Sequence, residues 1–185
     1  MNIPHIPVLY KETLEAFENI NDGYIIDCTT GFAGHSSGLL SSNENVKLIC
    51  NDQDDEALAF SKKRLEDFSS RVIFNKGNFE HVIDTFKDYE IRGVLADIGV
   101  SSLQLDKLER GFGFESDTLD MRMNQNQALD AATVVNTYSQ DELERVFKEC
   151  GEVREYKKVA SLIVNNRPFT SAKEISELLA KKMSK

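Results

Sequence analysis

The sequence predicts an α/β fold, a parallel sheet with helices on both faces. Three observations carry this. Short apolar runs alternate with helix-period stretches from Tyr24 to Asp97. The first run, Gly23-Tyr24-Ile25-Ile26, leads straight into a glycine turn, Asp27-Cys28-Thr29-Thr30-Gly31-Phe32-Ala33-Gly34-His35-Ser36. An acidic residue, Asp52, follows about 20 residues on, at the end of the second run. Right-handed crossovers then give the strand order 3-2-1-4, with strand 1 central and the turn at the switch point where ligands bind.

The elements follow in order. Asn2 to Leu9 is an extended, proline-marked lead-in, since a residue before proline is pushed away from helix. Lys11 to Phe17 reads as helix, with Leu14 and Phe17 on one face. Asn21-Asp22-Gly23 is a turn, Tyr24 to Cys28 the first strand, and Ser36 to Leu40 the start of a helix. Val46 to Cys50 is the second strand, followed by a helix over Glu56–Phe68. Val72-Ile73-Phe74 is a short third strand, and Asn78 leads into a helix carrying Val82, Ile83 and Phe86. Gly93 to Asp97 is the fourth strand, apolar enough to be interior.

From Ile98 to Gln127 there is little periodicity, and a loop of that length is usually functional. Beyond it the chain is helical. Ser139 with Glu142 and Ser171 with Glu174 make capping boxes, and Gly151 and Pro168 are breaks. The expected organisation is a nucleotide-binding part over 1–105, a long loop over 106–127, and a helical part over 128–185. No element covers the far edge of the fourth strand, and a bare apolar edge invites pairing. The expectation is a chain that continues beyond this sequence, or a helix, a second copy or a partner at that edge.

With 185 residues and 41% hydrophobic content, the sequence suits one ordinary domain or most of a larger one. No apolar run reaches the roughly 18 residues of a membrane span, and no signal peptide is visible. Cys28, Cys50 and Cys150 lack C-x-x-C spacing and read as reduced intracellular thiols, not as a disulfide framework or a zinc site; no metal is expected. The net charge is −9, which by itself argues against a nucleic-acid partner. The charge is uneven, however: Lys148 to Lys185 carries nine basic and five acidic residues, a net of +4. On charge alone a solvated helical surface is the preferred explanation, with an anionic partner the alternative.

The turn carries the chemistry. Its glycines let the backbone approach a ligand, and the helix start behind it offers unpaired N–H groups and partial positive charge. Asp52 is placed to accept both ribose hydroxyls of an adenosine. Two adenosine cofactors compete for this pattern. A nicotinamide dinucleotide needs G-x-G-x-x-G, and Gly31-Phe32-Ala33-Gly34-His35-Ser36 has different spacing. Asp27 before the turn suits the cationic ammonium of S-adenosylmethionine better than a pyrophosphate. Phe79 is placed either to pack on an adenine face or to fill the core. Asp97, at the end of the fourth strand, is placed to bond a substrate amine or the cofactor. Gln104 has donors and acceptors for a polar ligand, or is a loop glutamine. His35 is disfavoured as a general base, because a histidine at a helix N-terminus serves more often through its backbone N–H.

These residues sit in motifs that resemble the RsmH (MraW) family of small-subunit ribosomal RNA cytosine-N4 methyltransferases. The stretches are His5-Ile-Pro-Val-Leu9, the turn Asp27–Ser36, Asp52-Gln-Asp54, Gly77-Asn-Phe79 and Asp97-Ile-Gly-Val-Ser-Ser-Leu-Gln-Leu-Asp106. Glu109-Arg-Gly-Phe112, Leu119-Asp-Met-Arg-Met123, Val135-Asn-Thr-Tyr138 and Gly151-Glu152 follow in family order. The resemblance implies a Rossmann-like S-adenosylmethionine-dependent methyltransferase fold with an inserted helical domain that helps engage RNA. It implies cofactor contacts at Ala33, Gly34, His35, Asp52, Phe79, Asp97 and Gln104. By its position Asp97 is also the candidate for catalysis, with a role as a cofactor ligand alone the alternative. It implies a ribosomal RNA substrate and a cytoplasmic enzyme that needs no metal or membrane. The family usually has glycine where Ala33 stands and often proline at Leu103. It also continues past residue 185 with a basic stretch and further strands. A homologue that binds cofactor or RNA without catalysis is therefore the competing expectation.

Overall fold

The structure is a computed structural model that describes residues 7–183. The His5 of the first motif lies outside the described residues. The chain forms two compact units, one up to Gly99 and one from Val100 onward.

The first unit begins with helix α1 (Tyr10–Ala16) and strand β1 (Tyr24–Asp27). Helix α2 (Gly34–Ser42), strand β2 (Lys47–Asp52) and helix α3 (Asp55–Arg64) follow. Strand β3 (Val72–Lys76), helix α4 (Val82–Thr85) and strand β4 (Ile91–Leu95) complete it. All pairings are parallel and the order is β3-β2-β1-β4, as the crossover rule requires. Both faces of the sheet are covered, which is why β1 and β2 are nearly continuous apolar runs. Ile25, Leu48 and Cys50 pack with Leu39 and Leu40 of α2 on one face. Ile26 and Ile49 pack with Val82 and Phe86 on the other.

Strand β4 departs from its expected limits. It starts at Ile91, and a register irregularity between Tyr24 and Ile25 sets Gly93 opposite Ile25. Pairing ends where β1 ends, with Leu95 opposite Asp27 and the Cys28 N–H donating to the Leu95 carbonyl at 2.8 Å. Asp97 therefore lies two residues beyond the strand. Among the described residues β4 pairs only with β1, and Val94 is 46% exposed, so the strand is an edge and not interior. The helix expected over Glu56–Phe68 ends at Arg64 and passes into a 3-10 turn, Glu66–Arg71.

The second unit opens with helix α5 (Ser102–Asp106) and a 3-10 turn, Leu108–Arg110. The aperiodic stretch up to Gln127 is tied together by polar side chains that no hydrophobic period reveals. Buried Arg110 donates to the carbonyls of Arg122 and Met123, and Arg122 pairs with Asp120 at 2.7 Å. Helices α6 (Ala131–Thr137), α7 (Gln140–Arg145), α8 (Tyr156–Asn165) and α9 (Ala172–Met183) follow. Leu143, Val159, Ile163 and Phe169 form their core. Ser139 and Glu142 close a reciprocal capping box, and Ser171 and Glu174 exchange the same bonds.

Gly111 shows how tight the irregular part is. Its φ is +79°, and a Cβ there would stand 2.7 Å from the Asp120 nitrogen and 3.0 Å from that of Met121. Backbone cannot swing aside as a side chain can. Gly111→Ala combines a left-handed penalty of about 1–2 kcal/mol with overpacking of about 1–3 kcal/mol. A loss of about 3 kcal/mol in the urea unfolding of the second unit is the expected result; an unchanged midpoint would contradict it.

Among the described residues no helix is long and apolar enough to cross a membrane. Nor does any group of three or more His, Cys, Asp or Glu there have the arrangement to hold a metal ion.

Candidate functional site

The C-terminal ends of the four strands converge on the glycine turn. β1 delivers Asp27 and then the chain bends. The Thr30 N–H donates to the Asn51 carbonyl at 2.9 Å, which docks the turn on the end of β2. Gly31 has φ +52°, a backbone state that favours glycine, and a Cβ there would meet nothing closer than Thr29 O at 3.8 Å. Ala33 also lies in the left-handed region, at φ 57°, and is fully buried as the N-cap of α2. It is the one non-glycine in this turn to adopt that state.

Gly34 has a different reason from the one its spacing suggests. A Cβ there would stand 2.3 Å from Pro7 Cγ, so the missing side chain makes room for the N-terminal segment of this chain. His35 faces the same way. Its Nε2 lies 3.0 Å from the Val8 carbonyl, and its ring stacks on Tyr10 with centroids 6.2 Å apart. The imidazole is thus engaged by Val8 and Tyr10. His35 meets the turn through its backbone, in the first turn of α2.

Asp52 ends β2 and reaches the turn. Its Oδ2 accepts from the Gly31 N–H at 2.8 Å, and Oδ1 accepts from the Asp54 N–H at 2.9 Å. Burial pushes its carboxyl above the usual range, while the Asp54 and Gly31 N–H groups pull it back. The Gln53 N–H is a third donor to this carboxylate. Phe79 opens a 3-10 turn after β3 and is 41% exposed, so the core-packing alternative for it falls. Its loop is tied to Asp52 through the Gly77 N–H, which donates to the Asp52 carbonyl at 3.0 Å. Asp97 is exposed, and its N–H donates to Thr29 Oγ1 at 2.8 Å. That bond fixes the end of β4 against the turn.

Six of the predicted residues, Ala33, Gly34, His35, Asp52, Phe79 and Asp97, thus line up along one end of the sheet. Gln104 belongs to the second unit. There its Oε1 accepts from the Ser101 N–H at 2.9 Å, and its own N–H donates to Ser101 Oγ at 3.2 Å. This is a reciprocal cap at the start of α5, and the Ser-x-x-Gln spacing is its signal in the sequence.

Beneath the turn sits Asp27, 2% exposed. Ser36 Oγ donates to its Oδ2 at 2.5 Å, and the Thr29 N–H donates to Oδ1 at 3.3 Å. The carboxylate therefore organises the turn from below. Burial is the chief cause that raises its pKa to about 6. Burial, then the charge of Asp27, pushes the Cys50 thiol up to about 12 and raises that of Cys28. Neither cysteine is a ready thiolate nucleophile. The site offers a fixed carboxylate, an exposed aromatic ring and a docked glycine turn.

A parallel sheet in the order 3-2-1-4 with its glycine turn at the switch point defines the Rossmann-like class of fold that methyltransferases use. The sequence profile of the MraW methylase family matches residues 2–185, and the chain belongs to that family. It is 84% identical over 185 residues to the ribosomal RNA small subunit methyltransferase H of Aliarcobacter butzleri, covering 100% of this chain and 62% of that protein. It is 57% identical over 181 residues to the protein of the same name from Sulfurimonas denitrificans, covering 96% of this chain and 59% of that one. This chain thus spans about three fifths of the length of these relatives. Among solved structures, a precorrin-6Y C5,15-methyltransferase from Geobacter metallireducens overlaps 60% of this chain and 62% of its own, with TM-score 0.44 and 17% identity.

Proposed function

We propose that the first unit binds S-adenosylmethionine and that the protein methylates the N4 amine of a cytidine in small-subunit ribosomal RNA, acting in the cytoplasm. The observation that carries the cofactor reading is Asp52. Its carboxylate is held at the switch point by the Gly31 N–H, placed to accept from a ribose hydroxyl. Phe79 supplies an exposed ring for the adenine, and the backbone of Ala33, Gly34 and His35 borders the methionine end. Gln104 is included on the family resemblance alone.

When bound, the cofactor supplies an electrophilic methyl group on a sulfonium. The target amine is a poor nucleophile, because its lone pair is delocalised into the cytosine ring. Asp97 is exposed and anchored by Thr29, so its carboxylate is free to accept an N–H of that amine. Such an acceptor localises the lone pair and stabilises the positive charge that develops on nitrogen. Holding the amine in line adds the advantage of orientation. A base inside a helix has to leave its stack to reach such a site.

Calorimetry on this chain tests the cofactor: S-adenosylmethionine should bind and NAD should not. Methyl transfer to small ribosomal subunits is to be measured with a chain of the relatives' full length. Asp97→Ala there should lower turnover at least about 100-fold while the protein stays folded. Near-normal turnover would sink the catalytic role of Asp97. Cofactor binding without label transfer would favour a binding module over an enzyme.

A further inference from the structure

Asn51 is a polar residue in an apolar strand, and it is 1% exposed. A buried amide is costly unless its donors and acceptor are met. Here they are met by groups that border the candidate site. Nδ2 donates to the Cys28 carbonyl at 2.9 Å and to the Gly77 carbonyl at 3.1 Å. Both partners are acceptors, which fixes the amide orientation. Oδ1 accepts from Asn75 Nδ2 at 2.7 Å, from the residue directly opposite on β3. Cys28 is the second residue of the glycine turn, and Gly77 stands just before Asn78 and Phe79. The Asn51 backbone carbonyl holds Thr30 of the same turn. One side chain therefore spans the ends of β1, β2 and β3.

We propose that Asn51 is a positioning residue that sets the Gly77–Phe79 loop against the glycine turn, and so fixes the width of the adenosine end of the site. This rests on the cofactor reading above. An aliphatic residue would be the ordinary occupant of a buried strand position. The amide here links two loops that are also held to the end of β2 by the Thr30 and Gly77 N–H groups and by the Gly31 N–H on Asp52. Without it, the buried Cys28 carbonyl and the part-buried Gly77 carbonyl lose their donor, and the loop keeps only its backbone tie to Asp52 among these bonds.

The test uses Asn51→Ile, which suits a buried strand and removes every amide bond but is bulkier than asparagine, and Asn75→Ala, which removes only the donor to Oδ1 and adds no bulk. Two quantities are to be read on the folded proteins. The first is hydrogen exchange without ligand, in peptides spanning Lys76–His81 and in Leu48–Cys50 as the internal reference. The second is affinity for S-adenosylmethionine by calorimetry. Asn51→Ile should speed exchange over Lys76–His81, leave Leu48–Cys50 protected, and weaken binding about tenfold. Asn75→Ala should shift both in the same direction by a smaller factor, and it serves if Asn51→Ile does not fold. A purely structural Asn51 would lower the melting temperature but leave the affinity of the folded protein unchanged. Affinity within about twofold of the unaltered chain in the variants that fold would overturn the proposal. If the unaltered chain itself bound no S-adenosylmethionine, the cofactor reading would fall, and this inference with it.

Discussion

Asp52→Ala is expected to weaken S-adenosylmethionine binding by on the order of 100-fold. Hydrogen bonds to a charged group contribute about 1.5–3 kcal/mol each. A ribose hydroxyl on this carboxylate therefore supplies up to about 3 kcal/mol, and each 1.4 kcal/mol is roughly tenfold in affinity. The carboxylate also holds the Gly31 and Asp54 N–H groups, so its loss leaves the turn less ordered as well as removing the ribose contact. Asp52→Asn separates the two effects. An asparagine keeps one acceptor for the Gly31 N–H and loses the charge, and about tenfold weaker binding should follow. Calorimetry with S-adenosylmethionine, on samples shown to be folded by circular dichroism, decides the matter. A change below about threefold in Asp52→Ala would mean that the ribose lies elsewhere.

Asp52 is legible in the sequence because its signal is local. A fixed chain length separates the glycine turn from the end of the second strand, and parallel pairing of β1 with β2 brings the two together. The sheet order is legible for a related reason: apolar runs of strand length and the crossover rule leave few arrangements. Phe79 is half legible. Its position after β3 is clear, but whether the ring is buried depends on how the following turn folds. The limits of β4 are not legible, since β4 stops where its partner stops and not where its own apolar run stops. The role of Gly34 is hidden for the same reason. The space of its missing Cβ is filled by Pro7, 27 residues earlier, and no local spacing encodes that contact. Asn51 carries half a signal: an amide in an apolar strand has to find partners, but those partners lie 23 and 26 residues away. Ser36, Thr29 and Asn75 likewise matter only through what they reach.

The second large effect concerns Asp27, whose carboxyl is buried beneath the turn. Burial is the largest cause of its raised pKa, with a smaller push from Asp52; Ser36, the Thr29 N–H and His35 pull the other way. In the unfolded chain the group titrates near 3.8, and in the folded chain near 6. As pH falls through about 6 the folded chain takes up a proton that the unfolded chain does not yet bind. Protonation therefore favours folding, and the contribution of Asp27 to stability declines as pH rises from about 4 to about 6. The decline is roughly 3 kcal/mol, after which the ionised group costs the fold a constant amount. An asparagine in place of the aspartate keeps an acceptor for the Thr29 N–H and can donate to Ser36, yet has no charge to bury. Asp27→Asn should therefore match the original chain near about pH 4 and exceed it in urea-unfolding free energy by about pH 7.5. Reading the difference between the two proteins across pH cancels the titration of every other carboxylate. A difference that stays flat across that range would show that Asp27 ionises in the folded chain as easily as in water. Its bonds to Ser36 and Thr29 would then outweigh its burial.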